Sequence, residues 1–188
     1  MKIKKPQASI LATLVNWYVT RVNYLETRTE ISVQSHGDNI PRKYSVIAFG
    51  NVEETVKKLK ITEGSCIMVQ GTIASAGNSE QIIARTVRIS GKPAEPGSKA
   101  YPSIETREFR YSVVESIRKN GTVSFATKTN NRFYYIYCFD ETVEPAKGAE
   151  NGDLVSVSAV PMAKITGEGS KKKLVIYWKA FFFENHSR

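Results

Sequence analysis

The sequence predicts an all-β protein made of two small domains with the same order of elements. Short runs of alternating polar and apolar residues recur along the chain, as in half-buried strands. A segment rich in proline, glycine and serine interrupts them near the middle, and the runs before and after it follow one plan. With 41% apolar and 24% charged residues, the 188-residue chain has the composition of a folded protein rather than a disordered one.

The first half combines five predicted strands with one short helix. Enrichment in β-branched and aromatic residues predicts strands over residues 10–24, 31–33, 44–49, 66–73 and 81–89. Val52, Val56 and Leu59 recur at helical spacing, so residues 51–60 are predicted to form an amphipathic helix with Asn51 as its N-cap. The helix therefore falls between the third and fourth strands.

The second half repeats this order. Strands are predicted over residues 110–117, 122–128, 132–139, 154–161 and 173–183. Asn120-Gly121 and Asn130-Asn131 are typical of hairpin turns. Residues 140–150 are expected to hold one helical turn at most, because Pro145 removes a backbone donor.

Five strands interrupted between the third and fourth are the plan of an OB-fold barrel. The sequence therefore predicts two tandem five-stranded OB barrels: an N-terminal domain at 1–91, a linker at 92–104 and a C-terminal domain at 105–188. An SH3-like barrel and a β-sandwich have similar strand numbers and remain alternatives.

The charge of the chain predicts an anionic partner. The formal net charge is +9, and both halves are basic: residues 1–93 hold 13 basic and 7 acidic residues, whereas residues 94–188 hold 14 and 11. No apolar run approaches the roughly 20 residues that span a bilayer. The basic N-terminus lacks a convincing signal-cleavage site, so we expect a cytoplasmic protein, nucleoid-associated in a bacterium, without a membrane partner.

No motif in the sequence indicates catalysis, a metal or a cofactor. The chain lacks Gly-x-Ser-x-Gly, a phosphate-binding Gly-x-x-x-x-Gly-Lys run, His-Glu-x-x-His and a clustered set of acidic residues. Cys66 and Cys138 are far apart in apolar runs, and His36 and His186 have no ligand-type neighbours. We therefore expect a protein that is not an enzyme, with two buried free thiols and two surface histidines.

Two segments of the first half resemble the bacterial single-stranded-DNA-binding protein family. Residues 44–50 read Tyr-Ser-Val-Ile-Ala-Phe-Gly, and after the helix residues 64–73 read Gly-Ser-Cys-Ile-Met-Val-Gln-Gly-Thr-Ile. The match extends from Arg42 through Ile89. Gly-Asp-Leu-Val-Ser-Val-Ser-Ala at 152–159 occupies the equivalent place in the second half, which resembles the family only faintly, as a divergent second domain.

The resemblance implies an OB fold that binds single-stranded DNA with little sequence preference, for DNA replication, recombination or repair. Aromatic rings stack on bases whatever their identity, and cations neutralise phosphate. By the resemblance, Phe49 and Phe139 match the family's strand-end stacking Phe. Phe133 and Lys43 fall where the family often has Trp.

Strand alternation selects further candidates, because successive side chains face opposite sides of a strand. Phe133, Tyr135, Tyr137 and Phe139 form one face of their strand, opposite the Ile136 face. The predicted stacking residues are Phe133, Tyr135, Tyr137, Phe139, Phe49 and Trp17. The predicted phosphate contacts are Arg21, Arg42, Lys43, Arg132, Lys171, Lys172 and Lys173.

Two other functions fit the same residues. An RNA-binding OB module presents a similar face, and a protein-interaction scaffold uses an aromatic stripe as an oligomer or partner interface. Because single-barrel members of the family commonly tetramerise, a two-barrel chain is expected to form a homodimer. The resemblance implies replication or recombination proteins as further partners, but the ending Phe-Glu-Asn-His-Ser-Arg differs from the acidic tail by which the family recruits such proteins, so recruitment through a tail is not expected. A short basic chain of this kind suits a phage, plasmid or other mobile element.

Overall fold

The computed structural model describes residues 7–38, 40–90, 101–167 and 173–187. They divide into two compact units: a first unit, Leu11–Glu105, and a second unit, Thr106–Arg188, which also takes in the residues before Leu11. Most of the predicted linker lies outside the described residues. Residues 101–104, which the sequence assigns to it, are bonded to the first unit: Ser103 N–H donates to the carbonyl of His36 at 3.0 Å.

The first unit is a closed five-stranded barrel. Its elements are β1 (Ser9–Tyr24, belonging to this unit from Leu11), β2 (Thr29–Gln34), β3 (Lys43–Ala48), α1 (Gly50–Lys58), β4 (Cys66–Ala76) and β5 (Ser79–Ile89). Pairing runs β1-β2-β3-β5-β4 and returns to β1, and only the β3–β5 pair is parallel. This order, with a helix between the third and fourth strands, is that of an OB fold and confirms the predicted all-β barrel.

Alternation of side chains builds the core of this barrel. In β2 the side chains of Thr29, Ile31 and Val33 are buried, whereas those between them face outward. Gly71 allows β4 and β5 to approach closely, because a Cβ at this position would lie 2.4 Å from the Ile83 carbonyl oxygen. The core therefore fixes the register, and the outward positions are free to vary.

The second unit pairs its strands in the same way. Its elements are β6 (Ile104–Asn120, belonging to this unit from Thr106), β7 (Thr122–Thr129), β8 (Arg132–Cys138), a 3-10 helix (Asp140–Thr142), α2 (Val143–Lys147), β9 (Leu154–Thr166) and β10 (Lys173–Asn185). The pairs β6–β7, β7–β8, β9–β10 and β6–β9 are antiparallel and β8–β10 is parallel, so these five strands also pair in a ring.

The helices differ from their predictions. Helix α1 begins at Gly50, with Phe49 in extended conformation at the N-cap position, so Asn51 is not the cap. In the second unit, a 3-10 turn and α2 exceed the single turn expected. Pro145 is tolerated because it is the third residue of α2, where a backbone N–H has no intrahelical partner. Among the described residues, no helix is long and apolar enough to cross a membrane.

Candidate nucleic-acid interface

Strand β8 presents its aromatic side chains outward. The side chains of Tyr134, Ile136 and Cys138 are buried, whereas Phe133 and Tyr135 between them are 55% and 53% exposed. The alternation predicted for this strand is confirmed. Burial of the Cys138 side chain also raises the pKa of its thiol to about 11, as expected for a buried free cysteine.

Further along the same face, the rings pack against one another. Tyr137 and Phe139 are stacked, with centroids 6.2 Å apart and planes 11° from parallel. Tyr177 on β10 meets Tyr137 edge-on at 5.0 Å. One end of the stripe is thus a preformed aromatic cluster, whereas Phe133 and Tyr135 at the other end leave much of their ring surface open to solvent.

Small side chains on β6 and β7 make a groove beside these rings. Ala126 lies opposite Tyr135 and Ser124 lies opposite Tyr137 in the β7–β8 register. The groove has a volume of about 160 Å³ and is lined by Ser116, Arg118, Ser124, Phe125, Ala126, Tyr135 and Tyr137. This surface therefore combines exposed ring faces with a depression next to them.

Cations on neighbouring strands surround the rings. Lys128 Nζ lies 5.5 Å from the Phe133 ring centroid, and Lys179 Nζ lies 5.6 Å from that of Phe139 and 4.0 Å from an Asp140 carboxylate oxygen. Arg118 has no ion-pair partner among the residues that the structure describes. The predicted site residues do not include these cations or Tyr177, because only the strand register brings them beside β8. We call the surface formed by Phe133, Tyr135, Tyr137, Phe139, Tyr177, Arg118, Lys128 and Lys179 the aromatic face.

The corresponding surface of the first unit is polar. On β3, Lys43 and Ser45 occupy the places that Phe133 and Tyr135 hold on β8, and Ser45 lies opposite Ser32. Arg21 on β1 lies opposite Ser32 in turn, and its Nε–H donates to Asn23 at 3.0 Å. We call the surface formed by Arg21, Asn23, Ser32, Gln34, Lys43 and Ser45 the polar face.

Phe49 stands apart from the polar face, at the end of β3. Its side chain is 46% exposed, and it occupies the N-cap position of α1 just as Phe139 precedes the 3-10 helix of the second unit. A groove of about 270 Å³ lies between α1 and β5, and Arg85 and Arg88 line it. Both guanidinium groups lack ion-pair partners among the described residues, so this groove is cationic.

The prediction that Trp17 stacks on a base is wrong. Trp17 is fully buried, its Nε1–H donates to the carbonyl of Ile104 at 3.0 Å, and its ring packs on Tyr44 at 5.3 Å. A β-bulge between Leu14 and Trp17, with Asn16 at φ 60°, shifts the alternation and turns the indole inward.

Arg42 is also bonded within the protein. Its guanidinium donates to Asp38 at 3.1 Å and to the buried carboxylate of Glu105, which accepts a further hydrogen bond from the Tyr44 hydroxyl at 3.0 Å. Two carboxylates compensate the charge of Arg42, so its guanidinium is not free to contact a phosphate, contrary to the prediction.

The other predicted cations are distributed over both units. Lys43 and Lys173 are exposed, Arg132 is partly buried, and Lys171 and Lys172 lie outside the described residues. Arg132 adjoins Phe133 along β8, but the alternation of the strand places it on the side of Tyr134 and not with the exposed rings.

The histidines and cysteines complete the account of candidate ligands. His36 is buried, not at the surface as expected, and its Nε2–H donates to the Tyr101 carbonyl at 2.6 Å. Cys66 and Cys138 are buried free thiols. Within the part of the chain that the structure describes, His, Cys, Asp and Glu side chains form no group of three able to hold a metal ion.

Comparison with solved structures gives the same fold. The wild-type single-stranded DNA binding protein from Thermus aquaticus matches with a TM-score of 0.53 and 13% identity, over 96% of this chain and 93% of that one. Its deletion mutant delta 228-252 R190A matches with a TM-score of 0.55 and 12% identity, over 94% and 93%. No family model matches the sequence, and no curated protein matches it. The predicted resemblance to single-stranded-DNA-binding proteins is therefore confirmed at the level of fold.

Proposed function

We propose that this chain is a single-stranded-DNA-binding protein built from two tandem OB barrels, and that it binds largely without regard to sequence. The observation that carries the proposal is the aromatic face of the second unit. Outward rings, neighbouring cations and a groove floored by small side chains are what an unpaired strand requires.

The structural likeness to a known single-stranded DNA binding protein also supports the proposal. The likeness to the Thermus aquaticus protein extends over 94–96% of the chain, so it takes in both units. Each unit pairs its five strands in the same ring. These findings support two OB barrels in tandem, with the domain limits 1–91 and 105–188 kept as a prediction.

Binding on the aromatic face combines two terms. Bases stack on Phe133 and Tyr135 at roughly 1–3 kcal/mol per base, whatever the base is, since every base has a π-face. Lys128 and Arg118 beside the rings neutralise phosphates and release counterions. A duplex keeps its base faces stacked internally, so it gains only the second term.

The test is fluorescence anisotropy with matched single-stranded DNA, single-stranded RNA and duplex oligonucleotides, titrated with salt. We expect the single strands to bind more tightly than the duplex, with a salt slope of about −0.7 per neutralised phosphate. RNA binding well above DNA binding would favour the RNA-binding alternative. An absence of binding near physiological salt would sink the proposal.

We propose further that the chain acts as a cytoplasmic homodimer in DNA replication, recombination or repair, including that of a mobile element. Exposed apolar side chains on the β9–β10 hairpin support a protein interface: Ile165, Leu174 and Ile176 are 59%, 41% and 38% exposed. Contiguous exposed apolar side chains of this kind are typical of interaction surfaces. Sedimentation velocity of the wild type and of Leu174→Lys tests this; a monomeric wild type contradicts it.

A further inference from the structure

We propose that the groove of the aromatic face takes one unpaired guanine, and that Arg118 reads the edge of that base. This inference rests on the proposed function and deepens it. Binding along the rest of the strand is tolerant of sequence, but one position is expected to prefer guanine.

The strand register builds the groove. Arg118 lies opposite Ser124, which lies opposite Tyr137, across three adjacent strands. Neighbouring strands are about 4.8 Å apart, so Arg118 and Tyr137 stand roughly 10 Å from each other with a serine between them. The next outward row repeats the pattern, with Ser116, Ala126 and Tyr135. Rings thus form one wall, small side chains form the floor, and Arg118 stands at the opposite rim.

The dimensions suit one heterocycle. The groove has a volume of about 160 Å³, is lined by the Tyr135 and Tyr137 rings and opens to solvent, so a flat heterocycle can enter it. A base that leans on Tyr135 or Tyr137 points its edge across Ser124 toward the rim.

The chemistry of that rim selects the base. A guanidinium has five N–H donors and no acceptor, and Arg118 has no ion-pair partner among the described residues to occupy them. Guanine presents two adjacent acceptors, O6 and N7, which pair with both arms of an arginine. Adenine has an amino donor next to N7, so one arm of the guanidinium would face another donor and lose its hydrogen bond.

The first unit has neither the arginine nor the tyrosine at the equivalent positions. Asn23 occupies the place of Arg118, Ile47 occupies that of Tyr137, and Ile47 is buried. Guanine preference is therefore expected from the second unit alone.

The experiment measures anisotropy with a dT oligonucleotide carrying one central dG, dA or 7-deaza-dG, the last of which lacks the N7 acceptor. We expect the dG strand to bind about fivefold more tightly than the others, the lower end of what a bidentate pair supplies. Equal affinities for all three strands overturn the inference and leave the proposed function standing. Failure of every strand to bind overturns both.

Arg118→Lys separates base reading from phosphate contact, because lysine keeps the charge and loses the planar pair of donors. We expect this variant to bind the dG and dA strands equally well, so that the guanine preference is lost whatever its affinity for the plain dT strand. A preference that survives Arg118→Lys overturns the inference. In a second variant, Ser124→Leu fills the groove floor and is expected to abolish the preference; retention of the preference there contradicts the placement of the base.

Discussion

The two units pair their strands in the same ring, yet they present different surfaces at equivalent positions. Where β8 has Phe133 and Tyr135, β3 has Lys43 and Ser45. Inward positions must be apolar in both units, because burial of apolar surface stabilises each core. Outward positions carry no such requirement. One order of strand pairing therefore supports a polar face in one unit and an aromatic face in the other, and we expect the two units to contribute unequally to binding.

The units are alike in burying one tryptophan each beside an arginine. In the first unit, the Arg42 guanidinium lies 5.3 Å from the buried Trp17 ring. In the second, Arg107 is 2% exposed and lies 4.3 Å from the Trp178 ring. Both are cation–π contacts of the interior. Tryptophan, the residue most expected at a stacking site, here belongs to the core, and the exposed rings are Phe and Tyr.

The largest effect is expected from Trp17→Ala. Truncation of a fully buried tryptophan costs about 3–5 kcal/mol of folding free energy, and it leaves the Ile104 carbonyl without the indole donor. We expect a large drop in stability, measured by urea denaturation, with single-strand affinity unchanged under conditions where the variant stays folded. If the variant were stable but bound single strands ten times more weakly, Trp17 would be a binding residue and not a core residue.

The next largest effect is expected from Tyr135→Ala. Loss of one stacked base costs roughly 1–3 kcal/mol, about a fivefold to 150-fold drop in affinity for single strands. Because the ring is 53% exposed, folding stability should change little. Ser45→Ala is the matched control at the equivalent position of the first unit and should leave anisotropy titrations unchanged. Equal losses in both variants would contradict an unequal division. Dissociation of an oligomer by Tyr135→Ala without loss of affinity would favour the interface alternative.

The sequence predicted the strands and the outward rings of β8. It did not predict a β-bulge or the long-range ion pair of a buried carboxylate. Alternation in residues 132–139 predicted the outward rings, and the hairpin turn Asn130-Asn131 has the positive φ angles, 54° and 61°, that type I′ turns require. The alternation of inward and outward side chains did not predict the position of Trp17, because one inserted residue in a β-bulge exchanges the two faces of β1. The partners of Arg42 were also hidden, since Glu105 is 63 residues away in sequence.

A single substitution is expected to give the polar face a stacking ring. Ser45→Tyr places on the polar face the ring that Tyr135 supplies on the aromatic face. Position 45 lies opposite Ser32, a small neighbour, so the new ring has room to lie outward. We expect single-strand affinity to rise by about 1 kcal/mol, the lower limit for a stacked base. Ser45→Leu is the control, because it adds apolar surface without a π-face. An equal rise in that variant would show that hydrophobic contact, not stacking, is the cause.

The smallest effect is expected from the cationic groove of the first unit. If Arg85 and Arg88 contact phosphates, then Arg85→Gln with Arg88→Gln removes two counterion-releasing charges and reduces the salt slope by about 1.4 in total, at about 0.7 per phosphate. Affinity should fall more at low salt than at high salt, because the term is electrostatic. Glu54→Gln removes a charge of the opposite sign from the exposed side of α1 and serves as the control. If the double variant has the same salt slope as the wild type, the phosphate contacts, like the stacking residues, belong to the second unit.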